Sequence, residues 1–269
     1  MSSGLYDDLA CSIPESMDRR AILEHLDRVL DPELDESILK LGFVQSVQAD
    51  EGILTVTVRL PTYWCAPNFS YLMVDDIRRE LMAVENVRQV QIRLPDHFAS
   101  DEIEQGVNSG RSFTDAFSGE ALENLDQLRD LFLRKGYLKR QEGLLRNLRD
   151  AGLSFAEIAQ LRIENLHFEE GSCWVECGTA GNHQLESASL AQRYLERRKK
   201  LGLDVSSGAA LIVDLRDQPV SAPKLEQYFV YARTVRVSLD ANGSLCCALL
   251  AARDVGTDSI TSKTVRMDS

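Results

Sequence analysis

Residues 53–60 leave little choice of local structure. Leu54, Val56, Val58 and Leu60 alternate with Thr55, Thr57 and Arg59, and a period of two places one set on a buried face and the other toward solvent. A half-buried strand needs a partner. The strand-like run 43–48 precedes it across the acidic turn Ala49-Asp50-Glu51-Gly52, so the two read as a hairpin. Behind the strand, Pro61 and Pro67 bracket a short turn. Tyr71, Leu72, Val74, Ile77 and Leu81 then recur at helical spacing, predicting a helix from Pro67 to about Val84. Ahead of the hairpin, Ile22, Leu23, Leu26, Val29 and Leu30 predict a helix over 17–30. It stops at Asp31-Pro32 because the residue before a proline disfavours helical backbone. A further turn of helix is expected over 35–40 and a third strand over 87–94. The order α-β-β-α-β makes residues 1–94 a small α+β domain.

From 95 to 119 the apolar period fails. Asp96-His97, Gly106, Ser109-Gly110 and Ser118-Gly119 mark a polar linker. A mainly α-helical second domain is expected over 120–254. It has paired helices at 122–133 and 137–148 meeting at Gly136, a capping box at Ser154-Phe155-Ala156-Glu157 and a strand over 172–177. A polar helix over 187–201, a short strand over 209–213, and separate helices over 223–235 and 244–253 complete it. Residues 255–269 read as a flexible tail. With the linker open to protease, a fragment of residues 1–100 is expected to fold alone.

The chain has 269 residues, long enough for two domains. Its 30 Lys+Arg against 42 Asp+Glu give a net charge of −12, and residues 119–200 carry 13 of each sign. Sequence-independent nucleic-acid binding requires a positive field, so this balance argues against nucleic acid as a partner. No run of 18 consecutive apolar residues occurs and the N-terminus lacks a signal-peptide core, so no membrane partner and a cytoplasmic location are expected. The six cysteines are then expected as thiols.

Cys65, in Pro61-Thr62-Tyr63-Trp64-Cys65-Ala66-Pro67, is the sharpest candidate for chemistry. Pro67 suits the first helical position, which puts Cys65 at or beside the helix cap, facing free amides and the positive end of the helix dipole. That setting favours a thiolate able to bind a soft metal ion, carry sulfur or attack an electrophile. The plainer reading is a small thiol filling a turn. Asp31-Pro32-Glu33-Leu34-Asp35-Glu36 is the second candidate: either an acidic helix stop, or a stiff loop placing a carboxylate to orient a neighbouring thiolate or metal. Cys11 falls in an expected loose tail. Cys173 and Cys177, four apart on a strand and flanked in sequence by His167 and His183, share one face. A zinc site is conceivable there, but core packing is favoured. Cys246-Cys247 read as core filling in a helix.

The run Leu30-Asp31-Pro32-Glu33-Leu34-Asp35-Glu36-Ser37-Ile38-Leu39-Lys40-Leu41-Gly42-Phe43-Val44 resembles the D-P-E opening of the PaaD/SufT-like iron–sulfur cluster assembly domain (the domain of unknown function 59 family). Leu60-Pro61-Thr62-Tyr63-Trp64-Cys65-Ala66-Pro67 is similar to that family's strand-turn-helix with its characteristic cysteine, and Val84-Glu85-Asn86-Val87-Arg88-Gln89-Val90-Gln91-Ile92 to its last strand. The resemblance covers residues 17–94. It implies an accessory protein for iron–sulfur cluster assembly or metalloenzyme maturation, in the manner of PaaD-like and SufT-like factors, with a multi-component oxygenase among the clients. It makes Cys65 the functional thiol with Asp31 and Glu33 nearby, and Thr62 and Pro67 shaping its turn. One departure stands out: the family's cysteine is followed directly by proline, whereas Ala66 intervenes here.

A cluster takes four protein thiolates or close substitutes, and this domain offers one well-placed cysteine. The expectation is therefore a transient iron or iron–sulfur cluster, passed on or bridged in a homodimer, or a purely scaffolding role, with no other cofactor. The expected partners are a client metalloenzyme or other assembly proteins.

Residues 122–200 bear a fainter resemblance to a tyrosine-recombinase catalytic domain. Ser154 stands where that family has a catalytic arginine in Gly152-Leu153-Ser154-Phe155-Ala156-Glu157, and no H-x-x-R box follows His183. The resemblance implies the fold without the chemistry. Three functions are ranked in order: a non-enzymatic maturation factor acting through Cys65 with a client-docking second domain; a non-catalytic nucleic-acid-binding regulator; and a thiol enzyme, for which neither His25 nor His97 has motif context as a base.

Overall fold

The computed structural model describes residues 9–117, 125–169, 171–178 and 181–264, with side chains as far as Arg253. The chain forms two compact units, Met1–Gln127 with Ala241–Ser269, and Leu128–Asp240. The molecule is mixed α and β, as the residue patterns predict.

In the first unit, strands β1 (Ala10–Ser12), β4 (Val44–Asp50), β5 (Ile53–Val58) and β6 (Gln89–Arg93) form one sheet in the order β1-β4-β5-β6. Between β1 and β4 lie helix α1 (Arg19–Arg28) and the two-residue strands β2 (Leu30–Asp31) and β3 (Glu36–Ser37); helix α2 (Pro67–Met82) precedes β6. The β4–β5 hairpin is antiparallel, with Val47 opposite Val56, and β6 lies parallel to β5, with Ile92 opposite Val56. Leu54, Val56 and Val58 are all fully buried, in one core with Ile22 and Leu26 of α1 and Val74, Ile77 and Leu81 of α2. Asp18 starts α1 by accepting hydrogen bonds from the amides of Arg20 and Ala21 (2.8 and 3.1 Å).

Three local expectations change. Cys11 is in a strand, paired parallel with Val47 rather than in a loose tail. Residues 35–40 form no helix: β2 and β3 pair antiparallel, a turn with Asp35 at φ 53° joins them, and Ile38 N–H bonds back to Val29 O (3.1 Å). The polar segment after Leu94 contains helices α3 (Ser100–Asn108) and α4 (Phe113–Ala116). Ala99, Ile103 and Val107 repeat every four residues and are buried with Phe113 in the first core. The acidic residues between them dilute that stripe in the sequence.

Side chains of α3 also complete the sheet edge. Ile92 N–H donates to Asn108 Oδ1 (2.7 Å), Asn108 Nδ2 to Ile92 O (3.0 Å), and Leu94 N–H to Glu104 Oε1 (2.6 Å). A fragment of residues 1–100 lacks these partners and exposes apolar core. It is expected to melt broadly, whereas extension to residue 117 should sharpen the transition seen by circular dichroism. A sharp transition for the shorter fragment would contradict this packing. Ser118 and Gly119, the end of the expected linker, lie outside the described residues.

The second unit is mainly helical with a small sheet. Helix α5 (Leu125–Asp150) is continuous where two helices are expected; each of its interior glycines, Gly136 and Gly143, costs about 1 kcal/mol, which a helix of this length absorbs. Ser154 and Glu157 cap α6 (Phe155–Ile158) reciprocally. A single 3₁₀ turn, Ile163–Asn165, leads to the antiparallel sheet β7 (Leu166–Glu169), β8 (Ser172–Cys177) and β9 (Gly181–Leu185), then to α7 (Ala188–Lys200). Residues 209–213 contribute isolated bridges, Arg162 to Ala210 and Val213 to Pro219, instead of a strand. Within the core, Tyr137 and Gln141 both donate to Val213 O (2.8 Å each), and Tyr228 donates to Gln141 Oε1 (2.7 Å). Burial pushes the hydroxyls of Tyr137 and Tyr228 above their ordinary range, so both remain donors at neutral pH.

Helix α8 (Ala222–Thr264) runs unbroken where two helices and a tail are expected; residues 265–269 lie outside the described residues. Its Ala222–Arg253 stretch is long and apolar enough to cross a membrane by length and composition. It also carries Lys224, Arg233, Arg236 and Asp240, and it buries Leu225 and Ala232 in the second unit and Leu250 in the first.

Candidate functional site

The first unit carries a cavity of about 240 Å³ whose lining includes Asp31, Glu33, Leu60, Cys65, Ser70 and Cys246. The geometry follows from the end of β5. Pro61 and Pro67 hold a turn that Cys65 N–H closes on Thr62 O (3.5 Å), and Thr62 Oγ1 lies 3.2 Å from Cys65 Sγ. Ala66 is the N-cap of α2, with extended backbone at φ −61° and ψ 129°, and Pro67 follows at the first helical position. Cys65 is therefore one residue outside the cap, half-buried at the helix entry.

His97 fixes this turn from behind. Ala99 N–H donates to its Nδ1 (3.1 Å), which places the ring proton on Nε2, and Nε2–H donates to Cys65 O (2.8 Å). Ser70 Oγ is 3.2 Å from the same nitrogen and donates to Ala66 O (3.2 Å). Burial lowers the His97 pKa, so the ring is neutral and acts as a positioning group. Nothing in the sequence around Pro95-Asp96-His97 announces that role.

Asp31 reaches the cavity from the β2–β3 turn. Its Oδ1 accepts from Glu33 N–H (2.9 Å) and Leu34 N–H (2.8 Å). Burial nevertheless pushes its carboxyl up to about 6; those two amides oppose the rise and the Glu33 charge adds to it. Between about pH 4 and 6 the folded protein thus holds a proton that the unfolded chain has released. Stability from this group is full below about pH 4 and is lost as pH rises through 6. Asp31→Asn keeps the accepting oxygen and removes the charge. It is expected to stabilise the protein by roughly 1–3 kcal/mol above pH 6 and by little at pH 4, measured as urea midpoints at the two pH values. Equal effects at both would contradict the burial of this carboxylate.

Cys246 enters from α8, and the sequence places it only as core filler. Burial, with the charges of Asp31, Cys65, Glu33 and Cys247, pushes its thiol up to about 11; Cys247 is exposed. Around the turn, Tyr63, Trp64 and Phe98 are 53%, 73% and 50% exposed, and Phe98 N–H donates to Tyr63 O (3.0 Å). They form an apolar rim beside Cys65.

The structure brings together Cys65, Thr62, Pro67, Asp31 and Glu33. Cys173 and Cys177 are elsewhere, buried with Val175 in the core of the second unit. Burial pushes the Cys173 thiol up to about 11. Their flanking histidines have other engagements: His167 stacks on Trp174 at 4.1 Å and His183 Nδ1 lies 2.8 Å from Ala151 O. Among the described residues, no three His, Cys, Asp or Glu side chains converge as a metal site.

Residues 19–93 match the family model described as iron-sulfur cluster assembly protein. A Bacillus subtilis (strain 168) protein named Fe-S protein maturation auxiliary factor YitW is 30% identical over 74 residues, which cover 27% of this chain and 71% of that relative. This chain belongs to the iron–sulfur cluster assembly protein family. The membership makes it an assembly factor rather than an enzyme. The family match contains Asp31, Glu33, Thr62, Cys65 and Pro67; Cys173, Cys177 and Cys246 lie beyond it. No solved structure matches the chain.

Proposed function

We propose that this chain is a cytosolic maturation factor that takes iron or iron–sulfur cargo at Cys65 and delivers it to a client metalloenzyme, a multi-component oxygenase being one suitable class. The observation that carries the reading is the position of Cys65: a helix-entry thiol opening into a cavity shared with Asp31 and Glu33, inside the segment that matches the family. As the Cys65 S–H bond breaks and a sulfur–metal bond forms, the released proton passes to a cavity carboxylate or to water. Asp31, titrating near 6, is ionised and able to accept it at neutral pH. The Thr62 hydroxyl, 3.2 Å from the sulfur, stabilises the resulting thiolate by donation.

The exposed rim of Tyr63, Trp64 and Phe98 suits client docking, because aromatic anchors dominate the energetics of protein interfaces. The second unit supplies further docking surface, and Cys173 and Cys177 serve its core. Trp64→Ala is expected to weaken binding of an apo-client about tenfold while leaving the melting temperature unchanged, by titration calorimetry and thermal scans. Unchanged affinity would remove the rim from the docking surface.

Deleting the gene tests the function as a whole. Client enzymes should still be made, but with less iron and acid-labile sulfide per polypeptide, and fully loaded client should turn over without this protein. Equal metal content and equal soluble yield across the iron–sulfur enzymes of both strains would overturn the proposal.

A further inference from the structure

We propose that Cys246 is a second ligand of the cargo site, so that Cys65 and Cys246 together bind one thiophilic metal ion through two thiolates. The inference rests on the reading of Cys65 as the cargo thiol and extends it to a residue beyond the family match.

Helical spacing puts Gly243, Cys246 and Leu250 on one face of α8, and each end of this stretch is seated on the first unit. A Cβ on Gly243 would lie 3.8 Å from Leu34 Cδ2, ordinary contact distance, so the helix passes beside the Asp31 turn there. Leu250 is buried in the core beside Gly42. One turn on, Arg253 Nη1 donates to Leu60 O (2.6 Å) at the start of the Cys65 turn, and Nη2 pairs with Asp96 (3.5 Å). Cys246 lies between these anchors, half-buried on the cavity that Cys65 lines, while Cys247 points to solvent.

Two thiolates are the number that one iron of a two-iron cluster takes from protein. Since no set of three ligands converges among the described residues, the arrangement is a half-site, with the remaining positions left to sulfide and to thiolates of another chain. Binding breaks two S–H bonds, forms two sulfur–metal bonds and releases two protons, without oxidation or reduction.

Two anaerobic measurements on the reduced full chain test this. Phenylarsine oxide bridges neighbouring thiols, forming two arsenic–sulfur bonds and releasing one water. Iodoacetamide labelling and mass spectrometry should then find Cys65 and Cys246 protected together and Cys247 alkylated. In a Co²⁺ titration, Cys65→Ser and Cys246→Ser should each remove about half of the thiolate-to-cobalt charge-transfer intensity, the double variant should remove nearly all of it, and Cys247→Ser should change nothing. Alkylation of Cys246 in the arsenical-treated chain, or full intensity in Cys246→Ser, would overturn the two-thiolate site. If Cys65→Ser alone abolishes the signal, Cys65 stands as the cargo thiol without Cys246. If neither variant alters it, the cargo reading of Cys65 falls as well.

Discussion

Arg236→Met is expected to destabilise the protein by about 3–5 kcal/mol, the cost of leaving a buried charge without its partner. Glu142 is fully buried on α5, and Arg236 Nε lies 2.6 Å from its Oε2. The same guanidinium pairs with Asp240 through Nη1 (2.8 Å). Lys139, the nearby cation, is paired with Asp240 at 3.1 Å. Removing Arg236 therefore leaves the fully buried Glu142 carboxylate without that partner, and the melting temperature of the second unit should fall by more than about 10 °C. The double variant Glu142→Leu/Arg236→Met removes both charges and should recover most of the loss. Urea midpoints of the two variants separate ion pairing from packing. A single variant no worse than an exposed-arginine substitution would refute the burial of this pair.

Cys65→Ser is expected to have the largest functional effect. Iron per client polypeptide should fall to the level of the deletion strain, while the variant itself melts as the parent does. Serine fits a half-buried turn position with little loss of packing, and the His97–Cys65 carbonyl contact involves backbone that the substitution leaves in place. Oxygen is a far poorer ligand than a thiolate for a thiophilic metal. Cys173→Ser should show the reverse: lower stability, from a hydroxyl placed in an apolar core, with client loading intact. Metal analysis of purified client, together with thermal melts of the two variants, checks the contrast. Client loading that survives Cys65→Ser would take the cargo role away from this residue.

The alternation of Leu54, Val56 and Val58 and the stripe from Tyr71 to Leu81 make the hairpin and α2 legible, because period two and helical spacing each permit one way to bury those side chains. The helix entry beside Cys65 is legible for the same kind of reason: Pro67 fits only where an amide is not needed. α3 is harder to read, since the acidic residues Asp101, Glu102 and Glu104 interrupt the stripe of Ala99, Ile103 and Val107, and the role of Glu104 emerges only once it is seen on the amide of Leu94. The continuity of α5 is hidden because Gly136 reads as the junction of two helices.

The site divides along the same line. Asp31 and Cys65 are local features of two turns, visible in the residues around them. His97 and Cys246 become site residues only through contacts across 32 positions of sequence in one case and the seating of α8 in the other. No local pattern encodes such long-range contacts. Cys246 looks like any apolar-face thiol until the neighbours of that face are known.

The most direct test of the central claim is anaerobic reconstitution of the full chain with ferrous iron and sulfide, followed by visible absorption and iron analysis, for the parent and Cys65→Ser side by side. The parent should gain sulfur-to-iron charge-transfer absorption and bound iron that then passes to an apo-client, and Cys65→Ser should gain far less of both and pass none on. Equal absorption and equal iron in the two proteins would contradict the account.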